Sequence, residues 1–375
     1  MIGRRSSFRW VSKNSSHSWN WVGPLRVADG ELACTYSLLN LSSGKGFYIS
    51  IMKLERRLVL VALVSLVAAS GRVRAEQETG ATFSVTDAAL GKHVSVIVYG
   101  DMRFHDPSNT TVTNPTARKE LVDRIAEEKP SAIQLSGDVP YKGSDPMDYT
   151  NYKTETAAWR AADLRVYPVI GNHELSGGAE EGIKNWWTTF PELRGKRWYS
   201  VALGSRIYLI QLDSTSDLTD GSAQRAWLDA QLKSLSKGVD FVLIGLHHPP
   251  VADIQTRIEV DHNPRPNEVA LRDYLTAVQP TIHAQLMVTA GHIHNYERAS
   301  VGGVTYLVSG GGGARPYEVE RTPQDIYREK GFPNYHYIRL QLEKNDLKAT
   351  MFRLADPGGA KLVWQKKDHF DLRKR

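Results

Sequence analysis

The stretch AQLMVTAGHIHNYER (residues 284–298) joins an apolar run to two histidines, His292 and His294, that stand two positions apart. The apolar run predicts a buried β-strand, and residues i and i+2 of a strand point to the same side. Two imidazoles directed at one place suggest a pair of metal ligands, although an isolated pair of this spacing is more often a chance feature of a surface. The metal interpretation therefore depends on whether other strands end in further ligands.

Four other apolar runs also end in side chains that can bind a metal ion. They are VSVIVYGD (94–101), SAIQLSGD (131–138), LRVYPVIGNH (164–173) and VDFVLIGLHH (239–248). The candidates at their ends are Asp101, Asp138 followed by Tyr141, Asn172 followed by His173, and His247 followed by His248. Each alone has an ordinary interpretation, since Asp and Asn often cap helices or form turns. Together they favour one site, because active sites of open α/β sheets form where the carboxyl ends of strands meet.

The predicted donor set has a definite chemistry. Oxygen and imidazole donors without thiolate suit iron, manganese or zinc, and they argue against a structural cysteine-rich zinc site. The set exceeds the four ligands of one tetrahedral ion, so two metal ions are expected. Two ions about 3.5–4 Å apart form the arrangement used for in-line displacement at phosphorus.

The remaining pattern predicts a layered α/β fold with mixed sheets. Helices are predicted over 116–129, 152–163, 223–235 and near 267–278, a hairpin over 198–213, and antiparallel strands over 335–343, 346–354 and 361–367. Early alternation of strands with helices and later hairpins are typical of such a domain. Residues 81–370 contain no linker or low-complexity segment, so a single catalytic domain is expected there.

The succession GD, GDxxY, GNHE, HHPP and GHxHxYER resembles the calcineurin-like metallophosphoesterases, and within them most closely the purple acid phosphatases, over residues 94–313. The resemblance implies a four-layer α/β sandwich of two mixed β-sheets flanked by helices. It implies Asp138 as a carboxylate bridging two ions, with Asp101, Tyr141 and His294 at the first ion and Asn172, His247 and His292 at the second. His173 would protonate the leaving group or steady the bound phosphate. A tyrosinate ligand implies Fe(III), paired with a divalent Fe, Zn or Mn ion.

Two positions depart from the pattern or leave it ambiguous. Arg103 stands where purple acid phosphatases usually have glycine, and its guanidinium could bind substrate oxygens or form an outward salt bridge. In HHPP the resemblance favours His247 as the ligand. His248 would then lie near the substrate or pack beneath the prolines.

Other conspicuous residues have simpler interpretations. The remaining histidines of the catalytic domain are predicted on the surface or in loops: His93, His105, His262, His283, His336 and His369. Trp186 and Trp187 are expected in the core, although they could line a substrate cleft. GGGG at 310–313 is interpreted as a tight turn near the metals.

The net charge of +6 belongs to the leader and not to the body. Residues 1–75 carry 11 Lys+Arg and 3 Asp+Glu, whereas the other 300 residues carry 36 basic and 38 acidic side chains. No nucleic-acid-binding patch is therefore expected in the mature chain. The single cysteine, Cys34, lies in the leader, so the mature body is expected to be stable without disulfides.

The leader itself predicts export. The order MKLERR, LVLVALVSLVAA, SGRVRA over residues 52–75 is typical of a signal peptide cleaved near Ala75. An uncleaved anchor is the alternative, but the apolar run is short for a stable membrane span. Residues 1–51 precede this signal and are interpreted as a non-native upstream extension. The predicted location is periplasmic or extracellular.

The sequence therefore predicts an exported, dinuclear metal-dependent phosphoesterase acting on phosphomonoesters. A phosphodiesterase with the same metal ions remains an alternative, because loops 141–152, 174–190 and 249–266 would set the substrate pocket. A non-catalytic phosphate-binding module is a third possibility. The expected partner is a phosphate ester, and the oligomeric state stays open.

Overall fold

The computed structural model describes residues 80–256, 262–329 and 334–375, together with the backbone of five short strands between residues 19 and 49. The chain divides into two compact units, Met1–Glu76 and Gln77–Arg375. The strands of the first unit are β1 (Trp19–Trp21), β2 (Arg26–Ala28), β3 (Glu31–Ala33), β4 (Tyr36–Asn40) and β5 (Gly46–Ile49). Strand β4 pairs with β1 and β5, and β2 pairs with β3. The predicted signal peptide, residues 52–75, lies outside the described residues.

The second unit alternates strands and helices before ending in a run of strands. Its elements are β6 (Phe83–Val85), α1 (Asp87–Leu90), β7 (Ser95–Tyr99), α2 (Pro115–Glu128), β8 (Ala132–Leu135), α3 (Pro146–Glu155), α4 (Ala157–Ala161), β9 (Val166–Pro168), α5 (Ala179–Thr189), β10 (Tyr199–Leu203), β11 (Ile207–Gln211), α6 (Ala223–Lys233), β12 (Phe241–Gly245), α7 (Pro266–Val278), β13 (Gln285–Ala290), β14 (Tyr296–Val301), β15 (Val304–Ser309), β16 (Tyr335–Glu343), β17 (Asp346–Leu354) and β18 (Trp364–Arg373).

These strands form two mixed sheets. One has six strands in the order β18-β17-β16-β7-β8-β9, in which β7, β8 and β9 are parallel and β16 pairs antiparallel with β7. The other has seven strands in the order β14-β15-β13-β12-β11-β10-β6, with β11, β12, β13 and β15 parallel. The parallel strands are apolar almost throughout, as expected for strands covered on both faces.

Two main apolar clusters hold these layers together. Val98 of the first sheet and Leu209 of the second belong to one buried cluster, which Leu121 of α2 also joins. The second cluster contains Ile244 of the seven-stranded sheet and Leu271 of α7. The two mixed sheets are thus flanked by helices, and the predicted fold class is confirmed.

Several boundaries differ from the prediction. The helix expected over 152–163 is two helices, because α3 begins earlier, where Asp145 caps the first turn and Pro146 opens it. Helix α3 then ends before Thr156, whose hydroxyl donates a hydrogen bond to the carbonyl of Tyr152. Elements β6, α1, α5 and β14 were not predicted, and β18 begins three residues later than the strand expected from residue 361.

No helix among the described residues is both long and apolar enough to cross a membrane.

Candidate metal centre

The predicted ligands follow the carboxyl ends of strands in both sheets. Asp101 and Asp138 follow β7 and β8 of the six-stranded sheet, whereas His247 and His292 follow β12 and β13 of the seven-stranded sheet. Ligand atoms of Asp101, Asp138 and His247 all lie within 4.8 Å of one another. The site is therefore built where the ends of the two sheets meet.

A left-handed backbone directs three of these side chains. The φ angles are 61° at Asp101, 55° at Asp138 and 71° at His292. Such angles are unfavourable for residues other than glycine and persist only where surrounding contacts impose them. Here the Asp101 N–H donates to the Gly137 carbonyl (3.1 Å), and the His292 N–H donates to Oδ2 of Asp101 (2.9 Å).

Asp138 lies at the middle of the cluster and is fully buried. Its Oδ1 accepts a hydrogen bond from the His173 N–H (2.9 Å) and lies 3.2 Å from Nε2 of His247. Its Oδ2 lies 3.2 Å from Nη2 of Arg103. Burial works against its charge, but His247, His173 and Arg103 together hold the pKa of Asp138 below its usual range. An ionised carboxylate with both oxygens directed into the site is suited to bridge two cations.

Asp101 and His294 are a buried pair in which one atom of each residue lacks a hydrogen-bond partner. Oδ1 of Asp101 and Nε2 of His294 are 3.5 Å apart, and neither atom makes a hydrogen bond within the described part of the chain. Buried polar atoms normally have hydrogen-bond partners. A carboxylate oxygen and an imidazole nitrogen that face each other without partners, here called the orphan pair, are therefore suited to bind a metal ion. Burial, and then the like charge of Asp138, raise the pKa of Asp101 to about 7 in the absence of such an ion.

Backbone carbonyls set which histidine nitrogens face the site. Nδ1 of His294 bonds to the Arg315 carbonyl (2.6 Å), and Nδ1 of His247 bonds to the Ser136 carbonyl (2.8 Å). A carbonyl can only accept, so in both rings Nδ1 carries a hydrogen and Nε2 is the nitrogen directed at the other candidate ligands.

Asn172 connects two of the histidines. Its Oδ1 lies 2.9 Å from Nε2 of His247 and 3.1 Å from Nδ1 of His292. Burial first, and then nearby positive groups, lower the pKa values of His292 and His294. Both rings are therefore neutral, which is the form that binds metals.

Two of the residues expected to act on the substrate, Arg103 and His173, lie beside Asp138. The Arg103 guanidinium points inward, with Nε and Nη2 at 3.3 Å and 3.2 Å from Oδ2 of Asp138. His173 directs Nδ1 to the Tyr141 carbonyl, and its Nε2 lies 3.9 Å from the same oxygen of Asp138. The ring of Tyr141 lies beside those of His105 and His173, and its hydroxyl makes no hydrogen bond to the described residues.

His248 packs against the cluster. Its ring centroid is 4.5 Å from that of His292, and its Nδ1 lies 2.8 Å from Oγ of Ser214. Ligand atoms of His247, His248 and His292 also lie within 4.8 Å of one another. His248 is therefore placed where it could contact a substrate or a second ion.

Three histidines expected on the surface or in loops are buried. His336 lies in β16, where the Asn334 carbonyl and the Ser309 hydroxyl bond to its two ring nitrogens. The predicted surface or loop position of His336 was therefore wrong. His105 and His262 do lie in loops but are only 4% and 7% exposed. His105 is held between the carbonyls of Arg103 and Asn109. Trp186 is fully buried, as expected, and Trp187 is partly buried against the same core.

Sequence reasoning missed a wall of rings beside the predicted ligands. His262 lies 4.5 Å from the His292 ring and 4.9 Å from the Tyr317 ring, measured between centroids. Tyr317 stacks on His294 at 4.2 Å with 15° between the planes. The only indication in the sequence that His262 borders the site was its position in the loop 249–266, which was expected to shape the substrate pocket.

Glu174 is a second omission. This fully buried carboxyl accepts backbone hydrogen bonds from Asp138 (3.0 Å), Val139 (2.8 Å) and Gly171 (2.7 Å). It thereby ties the turn that carries Asp138 to the turn that carries Asn172. Burial, followed by the charge of Asp138, raises the pKa of Glu174 to about 8.

A model of the calcineurin-like phosphoesterases matches residues 94–296. Among solved structures, the chain is similar to a purple acid phosphatase from yellow lupin, Lupinus luteus, with 18% identity and a TM-score of 0.61 over 76% of this chain and 54% of that one. It is also similar to a dimetal phosphatase from Danio rerio (14% identity, TM-score 0.51, 75% and 99% of the two chains). A third similar structure is GAP50, the anchor in the inner membrane complex of Plasmodium (12%, 0.55, 76% and 90%). At these identities the structures show a shared fold, and the chain spans about half the length of the lupin enzyme.

Proposed function

The chain belongs to the calcineurin-like phosphoesterase family, and on that premise we propose that it is an exported dinuclear enzyme that hydrolyses phosphomonoesters. The observation that carries the proposal is the orphan pair formed by Oδ1 of Asp101 and Nε2 of His294, next to the ionised Asp138. Without a cation these two buried atoms would be left unsatisfied. Membership of this family supports a metal-dependent phosphoesterase. The class of substrate, the two metal ions and export are what we propose in addition.

The residues present fit two metal ions. Asp101, Tyr141 and His294 would hold one ion, Asn172, His247 and His292 the other, and Asp138 would touch both. Bound ions of this kind supply Lewis acidity and a water activated for attack on phosphorus. A phenolate from Tyr141 would favour Fe(III) as one of them, with a divalent Fe, Zn or Mn ion as the other.

The chain's own residues would orient the ester and move the proton. Arg103 presents a planar set of N–H donors beside Asp138, a geometry suited to phosphoryl oxygens. His173 keeps its Nδ1 hydrogen on the Tyr141 carbonyl, which leaves Nε2 to hold the proton that passes to the leaving alcohol. His248 and His262 would border the bound ester on the side of His292.

The test compares two substrates on the same protein. The chain would be stripped of metal, reconstituted with iron plus zinc or manganese, and assayed with an aryl phosphomonoester and the matching diester from acidic to neutral pH. Monoester preference with an acidic optimum is expected. Diester preference would instead assign a phosphodiesterase with the same ligands, and no turnover of either ester would refute the proposed function.

Export has its own test. N-terminal sequencing of protein recovered outside the cytoplasm of a producing cell should begin after Ala75. A product found only inside the cell with residues 52–75 intact would contradict export.

A further inference from the structure

A cavity of about 420 Å³ lies between the first turn of α2 and the segment that follows β15. Its lining includes four threonines, Asn114, Arg315 and Tyr335. The lining is thus rich in hydroxyl groups, includes one guanidinium and contains no carboxylate. Its volume falls within the range of small-molecule sites.

The charges around this cavity favour an anion. Arg315 is exposed, and its guanidinium forms no ion pair within the described part of the chain. The N-terminal end of α2, a helix of 14 residues, faces the same space and contributes the positive end of its dipole. Asn114 caps that helix by accepting the Ala117 N–H (3.0 Å), and Tyr335 lies buried in the cavity wall.

The cavity wall is continuous with the candidate metal centre. The Arg315 carbonyl accepts the hydrogen bond from Nδ1 of His294 (2.6 Å). The neighbouring Ala314 N–H donates to the Asp101 carbonyl (2.9 Å), and Ala314 forms a β-bridge with Thr113. One short segment therefore borders the cavity and holds both members of the orphan pair.

We propose that this cavity is a second anion subsite, in which Arg315 and the surrounding hydroxyls bind a phosphate or carboxylate group beside the metal centre. Two sources can supply that chemistry. One is a second anionic group on the leaving alcohol of the substrate, an assignment that rests on the proposed function. The other is free inorganic phosphate, the product of the same reaction.

The direct test uses the metal-free full-length chain and inorganic phosphate. Calorimetric titration should show phosphate binding that is weakened at least tenfold in Arg315→Gln and less so in Arg315→Lys, which keeps the charge but loses the planar fork. Arg194→Gln, at another exposed arginine, is the matched control and should bind as the parent protein does. Equal affinity in the parent and Arg315→Gln would overturn the subsite.

A kinetic arm distinguishes the sources. The metal-loaded protein would be assayed with an uncharged aryl phosphate and with aryl phosphates that carry a carboxylate on alkyl arms of increasing length. If the anion belongs to the substrate, Arg315→Gln should raise KM about tenfold for one arm length and leave the uncharged ester unchanged. If it is free phosphate, KM should not change for any ester, while the titration still loses binding in Arg315→Gln.

Failure of the proposed function would look different from failure of the subsite. Absence of turnover with every ester would refute the phosphoesterase proposal, while the phosphate titration would still decide on the subsite. Equal KM changes for all esters, together with unchanged phosphate binding, would overturn the subsite and leave the enzyme assignment intact.

Discussion

A single methyl group at Gly171 should displace the carboxylate at the middle of the candidate metal centre. The Cβ of Gly171→Ala would lie 2.4 Å from Oδ1 of Asp138, 2.7 Å from the Asp138 nitrogen and 2.9 Å from Oε2 of Glu174. Contacts below 3.0 Å are not tolerated, so Asp138 or the Gly171 turn must move by about 0.6 Å. Neither neighbour can yield freely, because both are fully buried.

The size of the effect follows from this displacement. Overpacking of this kind costs about 1–3 kcal/mol of unfolding free energy. A shift approaching 1 Å at a catalytic group can lower the reaction rate by up to about 100-fold. We therefore expect kcat/KM to fall about 10- to 100-fold. Metal affinity should fall by about the same factor, because Asp138 is expected to touch both ions.

The assay measures urea unfolding, metal content after dialysis, and kcat/KM with an aryl phosphomonoester. Gly80→Ala is the matched control, since nothing lies within 4 Å of its added Cβ. Wild-type metal content and kcat/KM in Gly171→Ala would refute the reasoning. So would an equal loss of activity in Gly80→Ala.

Three further outcomes are expected. His173→Ala should lower kcat about 100-fold or more while metal content stays unchanged, because only the proton donor is removed; an unchanged kcat would exclude His173 from proton transfer. Tyr141→Phe should abolish the visible absorption of the iron-loaded protein, and an unchanged spectrum would remove Tyr141 as a ligand. Burial lowers the pKa of His336 to about 4, whereas the unfolded chain takes up that proton near pH 6.5. The protein should therefore lose roughly 3 kcal/mol of unfolding free energy as the pH falls from 6.5 through 4. His336→Gln should flatten this pH dependence in urea unfolding, and parallel curves for the two proteins would contradict it.

The positions of the candidate ligands at the strand ends could be predicted because local pattern alone places them. Asp101, Asp138 and His247 each follow a largely apolar strand within three residues, and such strands are recognisable without knowledge of their partners. The left-handed turns that direct Asp101 and His292 could not be predicted, because neither residue is a glycine and the angle is imposed by tertiary hydrogen bonds.

The ring wall of the site could not be predicted for a different reason. His262 and Tyr317 lie on irregular segments, where no periodicity indicates which way a side chain points. Ser214, which holds His248, follows β11 after a run that looked like one arm of a simple hairpin. Contacts of this kind depend on the path of a whole loop, and the local sequence pattern does not predict that path.

Backbone groups, more than side chains, position the carboxylates of the metal centre. Asp101 accepts the His292 N–H, Asp138 accepts the His173 N–H, and Glu174 accepts three N–H groups from the turns around it. Replacing the side chain of a histidine ligand leaves these bonds in place, because His292 takes part only through its backbone N–H, so such variants should stay folded and lose only metal or turnover. A methyl group at Gly171 acts on the backbone frame itself, and it should therefore reduce stability, metal affinity and rate together.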